Sequence, residues 1–182
     1  MTIPGTFPMT RRCFFAAAGL AVTAAAAGAG EPVADANDLP KAALLSGGDT
    51  KMYLLEFRSG QEVMKGLLAF ARKHKLVAGH LTGIGAVRDA VIGYFDTEEK
   101  AYLRNHQKGQ AEVLSLTGNL ALDHDEPFFH VHVALGLRDG SARGGHLFEA
   151  AVRPTVEIVL TASSNPARRK IDRETGLPLL DP

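Results

Sequence analysis

After Lys75 the hydrophobic period of this chain changes from helical to strand-like and does not change back. Val63, Met64, Leu67, Leu68 and Ala71 recur with helical spacing and fall on one face. From Leu76 onward the apolar stretches are short and strand-like, bounded by glycine or charged turns: Leu76–Leu81, Ala90–Phe95, Ala111–Leu122, Phe128–Leu137, Leu147–Val152 and Thr155–Thr161. Met52–Phe57 adds a strand ahead of the helix. One substantial helix and about seven strands, in a run rather than alternating with helices, predict a single sheet-rich α+β domain and exclude a βαβ architecture.

The punctuation agrees with that division. Ser59-Gly60-Gln61-Glu62 reads as a capping box, with the Ser59 hydroxyl taking the Glu62 amide and the carboxylate reaching back. Arg72, Lys73 and Lys75 close the helix, where positive charge suits the macrodipole. Arg138-Asp139-Gly140-Ser141 is a turn signal. Residues 37–50 read as a linker with a short helical turn at Lys41–Leu45. In the tail, Arg168, Arg169, Lys170 and Arg173 read as a solvated basic cluster, and the Gly176–Leu180 close can pack back on the core.

The N-terminus reads as an address rather than as part of the fold. Arg11-Arg12 directly precede an uncharged, alanine-rich run from Phe14 to about Ala27, too short to anchor in a bilayer. Ala27-Gly28-Ala29 and Ala34-Asp35-Ala36 both offer a cleavage site, near 29 or 36. The pattern predicts a twin-arginine signal over 1–36, an exported, periplasmic protein with no membrane anchor, and a domain over 51–182. Removing the first thirty residues, which contain no acid, takes Arg11 and Arg12 from 20 basic residues and leaves 20 acidic ones, a formal charge of −2. Such a balance gives no electrostatic attraction for nucleic acid. Cys13, the one cysteine, goes with the signal, so thiolate metal sites are excluded and a metal would need His, Asp or Glu.

The sharpest chemical feature is His130-Val131-His132 followed by Gly144-Gly145-His146. Residues i and i+2 of a strand share a face, roughly 7 Å apart along it. A hairpin through Asp139-Gly140 would bring His146 back beside them. Three neutral imidazoles suit zinc or a similar divalent ion and leave a fourth position for water or substrate. The competing reading is a strand whose histidines simply face solvent. Arg58, Glu112 and Glu149 are weaker candidates, for binding an anionic substrate or shuttling protons; Glu149 would face away from His146 unless a bulge intervenes. Glu112, Ser115, Thr117 and Asn119 read as a solvated or hydrogen-bonding strand face. His74, His80, His106 and His124 are scattered and read as surface residues. Gly83-Ile84-Gly85 opens no helix and is rejected as a dinucleotide loop.

Several segments taken in order resemble a known family: Gly83-Ile84-Gly85-Ala86, Gly93-Tyr94-Phe95-Asp96, Glu112 to Asn119, Pro127-Phe128-Phe129-His130-Val131-His132, Gly144-Gly145-His146-Leu147, Pro154-Thr155-Val156-Glu157, and Asp172 to Leu180. Together they resemble the bacterial and archaeal branch of the PPC (plants and prokaryotes conserved) domain over about residues 51–182. The resemblance implies a homotrimer and a metal, zinc, held by His130, His132 and His146. Plant members bind DNA through AT-hooks, whose Arg-Gly-Arg core this chain lacks. The fold is also similar to that of acetolactate decarboxylase, an analogy that names no activity. Three functions follow: a metal-site protein that binds or transforms a small molecule, a DNA-binding regulatory module, and a non-catalytic metal-binding assembly protein. Whether the chain is an enzyme stays open.

Overall fold

A computed structural model describes residues 38–181; the export signal expected at 1–36 lies outside them. The elements in chain order are β1 (Lys41–Ser46), β2 (Thr50–Arg58), α1 (Val63–His74), β3 (Ala78–Asp96), β4 (Ala101–Asp123), β5 (Glu126–Gly136), β6 (Ala142–Ser163), β7 (Arg168–Ile171) and β8 (Pro178–Asp181). Helix α1 forms where the helical period was read, and it buries Val63, Leu67, Phe70 and Ala71. Its N-cap differs from the expected box. Gln61 N donates to Arg58 O and Gly60 takes φ +94°, so Ser59-Gly60 makes a turn and the helix starts later. Glu62 is the cap. Its carboxylate accepts from Met64 N at 3.0 Å and Lys65 N at 2.7 Å, and from Ala150 N of β6 at 2.8 Å. One side chain thus satisfies two orphan helix amides and ties the helix start to the sheet.

The sheet has eight strands rather than about seven, and the difference is instructive. Leu76–Leu81 and Ala90–Phe95 belong to one 19-residue strand, β3; Leu147–Val152 and Thr155–Thr161 belong to one 22-residue strand, β6. The glycines between the first pair are not a turn. A Cβ on Gly83 would lie 2.8 Å from the Glu157 carbonyl oxygen, so the glycines permit close approach of β3 to β6. Pro154 falls where the β3–β6 ladder is interrupted between Val152 and Val156, so its missing N–H costs no ladder bond. The added strands are β1, β7 and β8. Lys41–Leu45, expected as a helical turn, is instead an exposed edge strand paired antiparallel with β2. The tail folds into the β7–β8 hairpin beside β4.

β3 pairs with β4 and β6, and β5 pairs with the same two, so these four strands close on one another. β2 and β1 extend the sheet beyond β6. Helix α1 lies against β5 and β6. β5 buries Phe129, Val131, Val133 and Leu135 in the core, so alternation sends His130 and His132 to its other face. Among the described residues no helix is long and apolar enough to cross a membrane.

Candidate metal centre

The turn joining β5 to β6 fixes the register of the site. Gly140 takes φ +83°, Leu137 N donates to Ser141 O at 2.8 Å, and Gly140 N donates to Leu137 O at 2.9 Å. Asp139 Oδ1 accepts from Ser141 N at 2.9 Å and from its hydroxyl at 2.6 Å. The ladder then runs from Gly136↔Ala142 to His132↔His146, so those two histidines are direct cross-strand partners. His130 follows two residues along the same face.

The three rings converge. Their centroids are 5.0 Å (His130–His132), 5.2 Å (His130–His146) and 5.7 Å (His132–His146) apart. One nitrogen from each lies within 4.8 Å of the others, and His130 Nε2 is 3.2 Å from His132 Nε2. Two nitrogens on one tetrahedral zinc stand about 3.4 Å apart, so the closer pair has the required spacing and His146 needs only a small approach. The group contains no carboxylate. His132 is exposed; His130 and His146 are partly buried. Burial, followed by the fields of His130, His132 and Arg104, pushes the His146 imidazole down to about 4. Burial, then His132 and Arg169, lowers His130. Both are therefore neutral at pH 7, the form that donates a lone pair to a metal. His146 Nδ1 is shielded from solvent and has no hydrogen-bond partner. An orphaned buried nitrogen costs on the order of 1–3 kcal/mol, a cost that coordination of a cation through Nδ1 would remove. These side chains fit a divalent metal of zinc's preferences.

Aromatic rings and two guanidiniums surround the histidines. Gly93 of β3 lies between Arg104 of β4 and His146 of β6. A Cβ there would sit 2.5 Å from the Phe148 ring and 3.0 Å from Tyr102, so the missing side chain lets both rings close in. Tyr102 is 5.0 Å and Phe148 4.8 Å from the His146 ring, centroid to centroid. The Arg104 guanidinium lies 3.9 Å over Phe148. On the other side Asn119 pairs with His130 across β4–β5, and the Asn119 side-chain oxygen accepts from Arg169 Nη2. Arg169 also donates to Pro178 O at 2.8 Å and sits 4.8 Å over the Phe128 ring.

The weaker candidates do not join this cluster. Arg58 stands opposite Thr155 and pairs with Glu56 at 2.9 Å. Glu112 pairs with Ala86 and Gly136 and lines a separate cavity with Gln110, Leu137 and Arg138. The bulge that Glu149 would need does exist, between Val91 and Ile92, yet Glu149 is exposed and outside the group. His74, His80, His106 and His124 are exposed, as expected. Arg169 corrects the reading of a solvated tail: the β7–β8 hairpin folds it in, and it is partly buried with its Nε shielded. The apolar Leu177–Leu180 close was the one local hint that the tail returns. No local pattern marks Arg104 or Tyr102, because they meet His146 only across two strand pairings.

The Plants and Prokaryotes Conserved (PCC) domain model matches residues 45–164. A plant- and prokaryote-conserved (PPC) protein of Pyrococcus horikoshii is 34% identical with a TM-score of 0.68, covering 78% of this chain and 95% of that one. A metal-containing protein of Archaeoglobus fulgidus is 35% identical with a TM-score of 0.67, covering 79% and 99%. A candidate DNA-binding protein of Bacteroides thetaiotaomicron is 27% identical with a TM-score of 0.70, covering 77% and 96%. No curated protein matches the chain.

Proposed function

This chain belongs to the Plants and Prokaryotes Conserved domain family, and from that premise we propose that it is an exported, homotrimeric protein whose His130, His132 and His146 hold one zinc ion and leave a position open to a small molecule. The observation that carries this reading is the convergence of three imidazoles within 4.8 Å, with no carboxylate among them. The lowered proton affinities of His130 and His146 and the orphaned His146 Nδ1 support it. Zinc bound there supplies Lewis acidity at its open position.

The test is elemental analysis of protein purified without a histidine tag, beside His132→Ala. About one divalent ion per chain is expected in the first and none in the second. Equal content in the two, or none in either after zinc reconstitution, sinks the reading.

Trimer formation is supported by exposed apolar side chains on β3 and β4: Tyr94 opposite Leu103, with Ile84 and Leu114. Light scattering that gives a stable monomer would defeat it. Export rests on Arg11-Arg12, and changing both to Lys should leave precursor in the cytoplasm; equal export of that variant would count against the route. DNA binding is what the name of the Bacteroides relative suggests, but the lack of a net positive charge expected after signal removal opposes it. A gel shift with a steep salt dependence would reverse that ranking.

A further inference from the structure

The charges around the three histidines do not balance. Arg169 and Arg104 flank the cluster, the first beside His130 and the second beside His146, and each lies over an aromatic ring that holds its guanidinium. Neither makes an ion pair among the described residues; the carboxylate whose field reaches Arg169 is Asp123, itself paired with His124 at 2.9 Å. A divalent ion on three neutral imidazoles would add two positive charges between these cations. A partly buried group of that charge is costly unless an anion completes it.

Beside the histidines lies a cavity of about 470 Å³. His130, His146 and Arg169 line it, and much of the remaining wall is apolar, including Met64 and Leu68 of the helix, Phe128, Phe148 and Leu179. Arg72 also lines it but is paired with Glu126 at 3.3 Å. An arginine with no ion pair among the described residues, in a largely apolar cavity, is the layout of a site that orients a ligand by its head and holds it by its body.

We propose that this cavity binds a small apolar carboxylate, its carboxylate placed between the metal position and Arg169 and its hydrocarbon body lying between α1, Phe148 and the β7–β8 hairpin. The proposal rests on the metal reading above for one of its two anchors. Arg169 is the specific contact, since a guanidinium matches a carboxylate in geometry as well as charge. Arg104 does not line the cavity; it adds only its field, from above Phe148.

The test is calorimetric titration of zinc-loaded protein with isocaproate, with its neutral amide and with acetate, metal content being measured on every sample. Isocaproate should bind at least about tenfold more tightly than its amide, the scale of one charge-assisted contact. It should exceed acetate by about fourfold for each methylene buried. Arg169→Met should abolish the preference for carboxylate over amide while leaving metal content unchanged. A merely collapsed cavity would instead weaken acid and amide together. Arg104→Met should weaken isocaproate by only about twofold to threefold, as a screened charge does. Zinc content that survives in every variant, with no preference for acid over amide in the unaltered protein, overturns this proposal and leaves the metal reading intact. Loss of both acid and amide binding in Arg169→Met also overturns the assigned contact. Protein that takes up no zinc refutes the metal reading and with it the two-anchor placement of the carboxylate; Arg169-dependent isocaproate binding in that protein upholds the Arg169 contact alone.

Discussion

The two ends of β6 are built on opposite terms. Toward its C-terminal end Val156, Ile158 and Leu160 are fully buried, facing a core that includes Phe57 and Leu55 of β2. Toward its N-terminal end the same strand offers His146 and Phe148 and, around them, polar rings, an orphaned nitrogen and two guanidiniums that make no ion pair among the described residues. The first end follows the rule that apolar area leaves water and polar groups find partners. The second leaves groups unsatisfied and is held in place by the first. Stability and chemistry are therefore separable along one strand, and each can be perturbed with little effect on the other.

The largest effect is expected at the core. Phe70→Ala removes a fully buried ring and should cost about 3–5 kcal/mol in denaturant unfolding, while protein that is still folded keeps its full metal content. A variant that lost metal before it unfolded would show the two ends to be coupled. Next comes metal removal itself. Stripping zinc with a chelator should lower unfolding free energy by about 3–4 kcal/mol when free zinc had stood at a few hundred times its dissociation constant. In His132→Ala the chelator should change nothing, and the metal-free form of that variant should match the metal-free parent.

A smaller loss is expected at the cap. Glu62→Ala leaves Met64 N, Lys65 N and Ala150 N without their acceptor and should cost about 2 kcal/mol, again without change in metal content. A loss near zero would mean that Glu62 is replaceable by solvent and does not tie α1 to the sheet. The smallest effect, over the step from pH 7 to 6, is acid sensitivity of the metal-free protein. The unfolded chain protonates His146 near pH 6.5, whereas the fold resists until about 4. The unfolded state therefore binds more protons in that window, and stability should fall as pH drops from about 6.5 toward 4, with no slope from this group above pH 7. His130 and His74, both lowered, act with the same sign. His146→Gln should flatten the slope; an unchanged slope would mean that other groups set it.

Periodicity alone determined the fold class, the helix and the polypeptide stretches that became β2, β4 and β5, because burying a face imposes a 3.6- or 2-residue repeat wherever it occurs. It also placed His130, His132 and His146 together, since two lie at i and i+2 and the third is returned by a short Asp139-Gly140 turn, all local geometry. Three things were decided only by the tertiary structure. The glycines at 83 and 85 look like turn residues, yet they are where two backbones approach, and the distance to Thr155 and Glu157 is set by a strand some seventy residues away. Glu62 rather than Ser59 caps the helix because its carboxylate can also reach Ala150, a partner that no local reading supplies. Arg104 and Arg169 come to the histidines from 42 residues before His146 and 23 after it, and their place depends on strand order and on the return of the tail. Local repeats are written in the sequence because each residue carries its own share of the burial. Long-range convergence is not, because it depends on which strand lies beside which.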